Sequence, residues 1–383
     1  MKIITNTSSS KNGGIARRVR EMIDHVQKQE GLELVVLEIN PSEESRIVDR
    51  NVTYCKVPFA PVHSSTNVYH GLSNLDELHD RFAPLVEAIA TIIDREQAQV
   101  ALLEGTYYAP WCFYQAARRE SLPRIHIYAG ILSEEIKNWS PKKRELLKSM
   151  EREFYDPQMR YIFPSNLAKR KVEDEVFCRA LPDALVIPNG ISETFFSTVP
   201  ATREDPVREG VGFVGRAAHV KNPSYLIALA EEFRRRSKPF QVHAIIDAAE
   251  DSKLARELRA AGVVMSQPVE TEQLKDFYTR RTVIISPSFF ETYGNVPAEA
   301  LATRTPALVS SNMGVHEVFF ALGLQRLIVD FQNIPLVVDA IESLVGEILP
   351  LELSALMRTR YSWTRTLDQY YAACRSCLIE NAA

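Results

Sequence analysis

The chain has 383 residues, of which 45% are hydrophobic and 25% charged, and its formal net charge at pH 7 is −4. This length exceeds the size at which one hydrophobic core keeps growing, so we expect two domains. The charge gives no reason to expect a nucleic-acid partner, and no apolar run reaches the roughly 18–20 residues of a membrane-spanning helix.

The N-terminus, MKIITNTSSS, lacks the apolar core of a signal peptide, and five cysteines form an odd number in a chain of this length. An odd count suits a reducing compartment better than a disulfide framework. We therefore expect a cytoplasmic protein.

Short apolar runs alternate with amphipathic stretches along the whole chain. Examples of the predicted strands are Lys2–Thr5, Leu34–Ile39, Val100–Leu103, Ile125–Tyr128, Tyr161–Phe163, Leu185–Ile187, Gly212–Val214, Gln241–Ile246, Val283–Ile285 and Ala307–Ser310. The stretches with helical spacing include Ala16–Gln29, Asp76–Arg95, Ser224–Ser237 and Glu272–Arg280. Such alternation predicts parallel sheets covered by helices on both faces, with ligands at the carboxyl ends of the strands.

The first predicted strand is followed by the loop SSSKNGG, which spans Ser8 to Gly14 and opens the first helix. It is not a P-loop, because it lacks the Gly-Lys-Ser/Thr ending, and it is not a GxGxxG motif. Paired glycines allow close approach of a ligand to the backbone at a helix N-terminus, which makes Gly14 a candidate. An ordinary flexible loop is the alternative.

A basic cluster, Lys142-Lys143-Arg144 with Lys148, lies in the N-terminal half. It could dock an anionic membrane or an acidic glycan. Neighbouring glutamates cancel much of its charge, so a solvated helix face is the favoured interpretation, and a weak peripheral contact at the inner membrane face stays open.

A domain boundary is predicted between Ile187 and Ile191 (IPNGI), because proline and Asn-Gly end a strand and interrupt regular structure. Beyond it, GFVGR ends a predicted strand at Arg216, and Lys221 follows five residues later. Two cations beside the carboxyl end of a strand can neutralise a diphosphate, and Arg216 can do so bidentately. By itself this pattern is weak, because surface arginines are common.

The segment Thr282–Pro306, TVIISPSFFETYGNVPAEALATRTP, is the most informative in the chain. It combines a buried strand, a Ser-Pro turn, two glutamates (Glu291 and Glu299) and an alanine-rich helix. Asn295 is the predicted N-cap of this helix, and Pro297 is tolerated in its first turn because a missing N–H would be unpaired there anyway.

The free amides at the start of this helix, at Asn295, Val296 and Ala298, predict an anion site beside two carboxylates. Carboxylates repel phosphate but accept hydrogen bonds from hydroxyl groups. A nucleotide-sugar, with phosphate in the middle and polyols at both ends, would satisfy amides and carboxylates together. The alternative is a surface helix whose dipole alone favours acidic residues in its first turn.

The stretch FFETYGNVPAEALATRTPALVSSNMGVHE resembles the donor-site motif of the retaining glycosyltransferase family 4, which has the GT-B fold. The tail from Tyr361 is similar to the closing helix of that family. The resemblance covers most of the chain from about Tyr161 onward, whereas the N-terminal half matches only in pattern.

The resemblance implies an α/β fold with two Rossmann-like domains facing across a cleft. The acceptor-side domain would span residues 1–188, the donor-side domain 189–360, and a helix at 361–383 would return to the N-terminal domain. No metal is implied, and the chain has no Asp-x-Asp motif. Arg216, Lys221 and helix amides would replace the charge of a metal ion.

The resemblance also assigns roles to single residues. Glu291 would meet the sugar hydroxyls and Glu299 the ribose, while the amides of Asn295 and Val296 would hold phosphate and sugar. Arg216 and Lys221 match the diphosphate-binding Arg/Lys pair of the family in order and spacing. We take Glu291, Arg216 and Lys221 as the catalytic candidates.

Three further binding residues come from the resemblance. Gly14 falls in the Gly-Gly loop that faces the donor phosphate, and Pro268, in VVMSQPV, falls where the base-binding loop lies. Gly294 keeps its place between the glutamates, although Thr292-Tyr293 stands where Gly-Phe is commoner.

The chain departs from the family where many members carry a histidine that touches the donor sugar. The equivalent stretch reads Ile125–Gly130, IHIYAG, with Ala129 at that place. His126 lies three residues earlier and, by strand alternation, faces another way. Glu104, at the end of another predicted strand, is an alternative that could reach the cleft.

We therefore expect a retaining, metal-independent hexosyltransferase without a cofactor. Its donor would be UDP-glucose or a related UDP-hexose, and its acceptor a hydroxyl of a glycan, a lipid-linked glycan or a small molecule, as in polysaccharide biosynthesis. The alternatives are a nucleotide-sugar epimerase or hydrolase of the same fold, and a catalytically weak nucleotide-sugar-binding protein.

Overall fold

The computed structural model describes residues 1–7, 13–41, 43–59, 68–198 and 208–382. For residues 381 and 382 it describes only the backbone. The chain forms two compact units, one of Met1–Ile187 with Thr366–Ala383 and one of Pro188–Arg365. Most of the predicted glycine-rich loop, residues 8–12, lies outside the described residues. Among the described residues, no helix has both the length and the apolar character needed to cross a bilayer.

The first unit is built on an eight-stranded sheet. Its strands are β1 (Lys2–Asn6), β2 (Glu33–Asn40), β3 (Ser45–Asp49), β4 (Val52–Pro58), β5 (Val100–Glu104), β6 (Arg124–Ile127), β7 (Arg160–Phe163) and β8 (Leu185–Val186). Their order is β3-β4-β2-β1-β5-β6-β7-β8, and every pair except β3-β4 is parallel. The strand order reverses between β1 and β5, and such a reversal is where open α/β sheets bind ligands.

The hairpin β3–β4 at the edge of this sheet is absent from the predicted strands. β3 is antiparallel to β4, and Arg50, with φ of 54°, lies in the short turn that joins them. Ile47 and Val48 of β3 are 59% and 52% exposed. Because β3 is not buried on either face, its sequence lacks the apolar run that marks the interior strands.

Helices of the first unit pack on this sheet and cover its apolar faces. They are α1 (Gly14–Val26), α2 (Leu75–Glu96), α3 (Tyr108–Arg119), α4 (Leu132–Glu135), α5 (Pro141–Arg152) and α6 (Asn166–Lys171), which continues as a π-turn over Val172–Val176. The N-cap of α2 is Asn74, whose side chain accepts from the Glu77 amide at 2.9 Å. The basic cluster of the sequence lies on α5, where Lys148 pairs with Glu145 at 3.4 Å.

The second unit has a fully parallel sheet of five strands. These are β9 (Val211–Arg216), β10 (Val242–Asp247), β11 (Val264–Ser266), β12 (Val283–Ser286) and β13 (Ala307–Val309), in the order β11-β10-β9-β12-β13. The helices are α7 (Tyr225–Arg235), α8 (Lys253–Ala260), α9 (Thr271–Thr279), α10 (Asn295–Ala302), α11 (His316–Ala321), α12 (Ile334–Ser343), α13 (Leu351–Tyr361) and α14 (Trp363–Ala382). Short 3₁₀ turns span Glu193–Phe195, His219–Lys221 and Gln325–Leu327.

The last helix, α14, begins in the second unit and joins the first from Thr366 onward. Within the first unit, Glu380 of α14 pairs with Arg160 of β7 at 2.6 Å. The ring of Tyr371 packs on that of His25 of α1, with centroids 5.4 Å apart. The terminal helix is therefore part of the structure of the first unit as well as of the second.

Candidate functional site

The loop after β12 is held by backbone hydrogen bonds to the segment after β13. The amide of Glu291 donates to Asn312 O at 3.1 Å, and the amide of Gly314 donates back to Glu291 O at 3.0 Å. A third bond, from the Val315 amide to Tyr293 O at 2.7 Å, continues the pairing. This bonding fixes the backbone of Glu291 at the carboxyl edge of the sheet.

Gly294 is the residue from which α10 starts, and it corrects the predicted N-cap. Its φ is +115°, and a Cβ there would lie 2.9 Å from the Met313 side chain and 3.1 Å from that of Val315. Asn295 is instead the first helical residue, and its Oδ1 accepts from Asn189 Nδ2 at 2.9 Å. The prediction was wrong because side-chain chemistry favoured asparagine, whereas the backbone enters this helix through a conformation open only to glycine.

The first turn of α10 presents the N–H groups of Asn295 and Val296. Both residues are half-buried, whereas Pro297 and Ala298 are buried. The first four N–H groups of an α-helix have no acceptor within the helix, and the positive end of the helix dipole favours an anion there. The start of α10 can therefore hold a phosphate.

Glu291 has a partner on each carboxylate oxygen. Oε2 accepts from Lys221 Nζ at 2.6 Å, and Oε1 accepts from Ser288 Oγ at 2.7 Å. The Glu291 side chain is 14% exposed and that of Lys221 is 21% exposed. The structure thus places two of the three catalytic candidates in direct contact, with the ammonium offsetting the carboxylate charge.

Arg216, the third catalytic candidate, is the last residue of β9 and is exposed. β9 pairs with β12 on one side and with β10 on the other, where Arg216 stands opposite Asp247. Because these strands are parallel, Arg216 lies at the same edge of the sheet as the Glu291 loop. Within the described part of the chain, Arg216 makes no ion pair, so its guanidinium is available to an anion.

Glu299 lies inside α10 and is buried, with 4% of its surface exposed. Its Oε2 accepts a hydrogen bond from the Tyr278 hydroxyl at 2.8 Å. Tyr278 belongs to α9 and is fully buried. One donor to the second glutamate is therefore a buried, neutral hydroxyl.

The remaining two predicted binding residues stand on other elements. Pro268 is exposed and follows β11, the edge strand of the second sheet. Gly14 is the exposed first residue of α1 and belongs to the first unit. All the other predicted site residues belong to the second unit.

His126 is buried in the first unit and does not face solvent. Its Nε2 is 2.7 Å from Gly105 O, and its ring packs on those of Phe154 and Tyr128 at centroid distances of 4.6 and 4.8 Å. Burial lowers the pKa of His126 to about 4. Ala129, which stands where the resembling family has its histidine, is half-buried after β6.

The interpretation that Glu104 could reach a ligand is wrong. Glu104 is fully buried and forms an ion pair with Arg18, which is itself buried on α1. Burial raises the pKa of Glu104 to about 7, against the opposing effect of Arg18. The alternation of side chains along a strand cannot reveal this burial. β5 is buried on both faces, and its last residue, Glu104, contacts a helix instead of solvent.

Two residues of the site were not predicted, Ser288 and Tyr278. Ser288 stands three residues before Glu291 in the Ser-Pro turn, so its spacing was a usable local signal. Tyr278 lies 21 residues before Glu299 and on a different helix, so no local pattern joins the two. Among the described residues, no group of three or more His, Cys, Asp or Glu side chains could hold a metal ion.

Comparison with known proteins places these features in context. A family model described as "Glycosyl transferases group 1" matches residues 200–351. The chain is 23% identical over 335 residues to a D-inositol 3-phosphate glycosyltransferase of Corynebacterium urealyticum, a match that covers 80% of this chain and 78% of that protein. It is 31% identical over 181 residues to the protein of that name from Rhodococcus opacus, over 43% of this chain and 40% of the relative.

Among solved structures, the chain is similar to a sucrose-phosphate synthase from Thermosynechococcus elongatus. The TM-score is 0.76 at 14% identity, and all of both chains is covered. At this identity the likeness shows the fold alone. It confirms the predicted α/β fold class with two domains.

Proposed function

We propose that this chain, which is a glycosyltransferase with the GT-B fold, transfers a hexose from a nucleoside diphosphate sugar to a hydroxyl group with retained configuration. The observation that carries this proposal is the contact between Lys221 and Glu291 beside the start of α10. A cation, a carboxylate and free helix amides at one place match a ligand that carries phosphate next to a polyol.

Each part of the donor has a partner of suitable chemistry in this proposal. The diphosphate is bound by Arg216, Lys221 and the amides of Asn295 and Val296, because these groups supply positive charge and N–H donors. Glu291 accepts hydrogen bonds from hydroxyls of the hexose. Since Lys221 already offsets its charge, the carboxylate does not repel the neighbouring diphosphate strongly.

The donor has three further proposed contacts. Glu299 accepts from the ribose hydroxyls, Pro268 lies in the base-binding loop, and Gly14 is the proposed phosphate-binding residue of the glycine-rich loop. Gly294 serves by its backbone, since it lets α10 begin beside Glu291. The proposed donor is UDP-glucose or a related UDP-hexose.

The proposed reaction is a displacement on one face of the sugar. The bond from the anomeric carbon to the phosphate oxygen breaks, the acceptor oxygen bonds to that carbon, and the acceptor proton passes to the departing phosphate. The protein then acts by orienting both substrates and by stabilising charge on the leaving diphosphate. Arg216 and Lys221 supply this stabilisation without a metal ion or a cofactor.

The acceptor is proposed only by class, as a hydroxyl of a glycan, a lipid-linked glycan or a small molecule, in cytoplasmic polysaccharide biosynthesis. The two relatives above carry the name "D-inositol 3-phosphate glycosyltransferase". The basic residues of α5 would support a weak peripheral membrane contact, although Glu145 reduces their charge.

A donor screen tests the proposal. UDP-, GDP- and ADP-hexoses are added to the protein and its melting temperature is measured, because a ligand that binds only the folded state must raise it. Product analysis then distinguishes transfer to an acceptor from an epimerised sugar and from binding without turnover. Binding without turnover is considered because Ala129 stands where the resembling family has its histidine. Absence of any shift with all three donor classes would contradict the proposal.

Arg216→Ala tests the assigned chemistry. We expect turnover to fall by about 100-fold or more, because the contact with the diphosphate strengthens as the bond breaks. Arg216→Lys should restore only part of the rate, since the bidentate geometry is lost. Near-native turnover in a folded Arg216→Ala protein would move the diphosphate role to another residue, with Lys221 next to be tested.

A further inference from the structure

The hydroxyl of Tyr278 contacts one of the two carboxylates of the site from inside the protein. Tyr278 lies in the last turn of α9, is fully buried, and donates to Glu299 Oε2 at 2.8 Å. Glu299 is 4% exposed, so water competes little for this bond. None of the chemistry proposed above uses Tyr278.

The position of this hydroxyl is set by the surrounding core. The Tyr278 ring packs beside Phe195 and Phe277, with centroids 5.8 and 6.2 Å away. Its backbone oxygen accepts from Thr305 Oγ1 at 3.0 Å, and Thr305 is itself fully buried. A tyrosine held at its ring and at its backbone presents its hydroxyl in a fixed direction.

This fixed donor restricts rotation of the Glu299 carboxylate. The orientation of the carboxylate is therefore set before a ligand arrives. Preorganisation of this kind strengthens binding because less conformational freedom is lost on association.

We infer that Tyr278 is a positioning residue that orients Glu299 toward the ribose of the donor. The inference rests on the proposed function, in which Glu299 accepts hydrogen bonds from ribose hydroxyls. It adds that the preference for ribose over deoxyribose depends on a buried tyrosine that does not touch the nucleotide.

The test uses calorimetry on the full chain with nucleoside diphosphates. The probe is whichever of UDP, GDP and ADP binds the native protein most tightly, together with its 2′-deoxy and 3′-deoxy forms. The variants are Tyr278→Phe, Glu299→Gln and the double variant. Tyr225→Phe is the matched control, because Tyr225 is also a buried tyrosine of the second unit and its hydroxyl makes no hydrogen bond with the described residues.

We expect Tyr278→Phe to raise Kd for the ribonucleotide by about three- to tenfold, as the loss of one ordinary hydrogen bond implies. Kd for the deoxy form that lacks the contacted hydroxyl should change little. The ratio of Kd for the deoxy form to Kd for the ribonucleotide therefore falls. With the hexose donor, KM should rise while kcat at saturation stays near native. The double variant should bind about as weakly as Glu299→Gln alone, and Tyr225→Phe should bind as the native protein does.

Several outcomes would overturn the inference. If Glu299→Gln weakens binding but Tyr278→Phe keeps the native ribose preference, Tyr278 does not orient Glu299. If the two effects add in the double variant, Tyr278 acts by another route. If Glu299→Gln leaves the affinity unchanged, or if none of the three nucleotides binds, the proposed donor site fails and this inference fails with it.

Discussion

The carboxylate of Glu291 is held by a cation on one oxygen and by a hydroxyl on the other. Lys221 and Ser288 engage its two oxygens at 2.6 and 2.7 Å, so the carboxylate has little freedom to rotate. Ser288 is 4% exposed, so water competes little for its hydrogen bond to Glu291. We therefore expect the hydroxyl of Ser288 to matter for the direction in which Glu291 meets a sugar.

Ser288→Ala should lower kcat/KM for the hexose donor by about tenfold, because one hydrogen bond to a charged group is lost. The affinity for the free nucleoside diphosphate, which lacks the hexose, should stay near native. Ser310→Ala is the matched control, since the Ser310 hydroxyl is buried and has no hydrogen-bond partner among the described residues. Equal kinetics for the two variants would show that Ser288 does not position Glu291.

His126 gives the first unit a dependence on pH. Burial lowers its pKa in the folded protein to about 4, whereas the ordinary value is 6.5. Between these two values the unfolded chain binds more protons than the folded one, so acid favours unfolding. The contribution of His126 to stability is present above pH 6.5 and is lost as the pH falls toward 4.

Urea unfolding of the first unit should therefore show a fall of up to about 3 kcal/mol from this group between pH 6.5 and pH 4. Fluorescence of Trp111 and Trp139, both in the first unit, reports this transition. His126→Gln should reduce the difference in unfolding free energy between the two pH values. The control is the same substitution at the exposed His70. An unchanged pH dependence of stability in His126→Gln would contradict the assignment.

At the scale of elements, the start of α10 determines how the site is arranged. Gly294 makes the turn, the backbone of Glu291 pairs with the segment after β13, and Asn189 contacts the side chain of Asn295 at 2.9 Å. Glycine is favoured before this helix because its φ is +115°, and a Cβ there would also crowd Met313 and Val315.

Gly294→Ala should destabilise the second unit by about 1–3 kcal/mol through backbone strain, with a further cost from the crowded Cβ. Donor affinity should fall as well, since the amides of α10 shift. Gly323→Ala is the matched control, because Gly323 also has a positive φ, +72°, but nothing lies within 4 Å of its Cβ position. If the two variants are equally stable and bind donor equally, the fit around Gly294 has no special role.

At the scale of the whole molecule, the formal charge of −4 does not attract an anionic donor. In the proposed function, binding of a diphosphate therefore relies on local cations at the carboxyl edge of the second sheet. Arg216 and Lys221 carry this charge in the proposed function, and the start of α10 adds the helix dipole.

Transferase activity should accordingly survive an excess of EDTA. The measurement is initial rate before and after chelation, with re-addition of Mg²⁺ or Mn²⁺. Complete loss of activity on chelation, restored by either ion, would show that the cationic residues do not replace a metal. Arg216→Ala, assayed with and without Mg²⁺, is the internal control for charge at this position.

Much of the fold could be predicted from local sequence. Buried strands such as β1, β5 and β12 are marked by continuous apolar runs, because both of their faces are covered by helices. The same reasoning placed Glu291 after a strand and Glu299 on the following helix. It missed β4 and the edge strands β3 and β11, of which β3 is exposed on both faces, and it chose Asn295 over Gly294 for the start of α10.

Only the tertiary structure decided which of these residues meet. Lys221 and Glu291 are 70 residues apart, and Asn189 and Asn295 are 106 apart. Glu104 was placed at a strand end by its sequence, but its burial against Arg18 depends on how α1 packs. Periodicity and turn chemistry act over a few residues, whereas these contacts depend on strand order and helix packing. The sequence therefore determined the elements and the residue types of the site, and packing determined their partners.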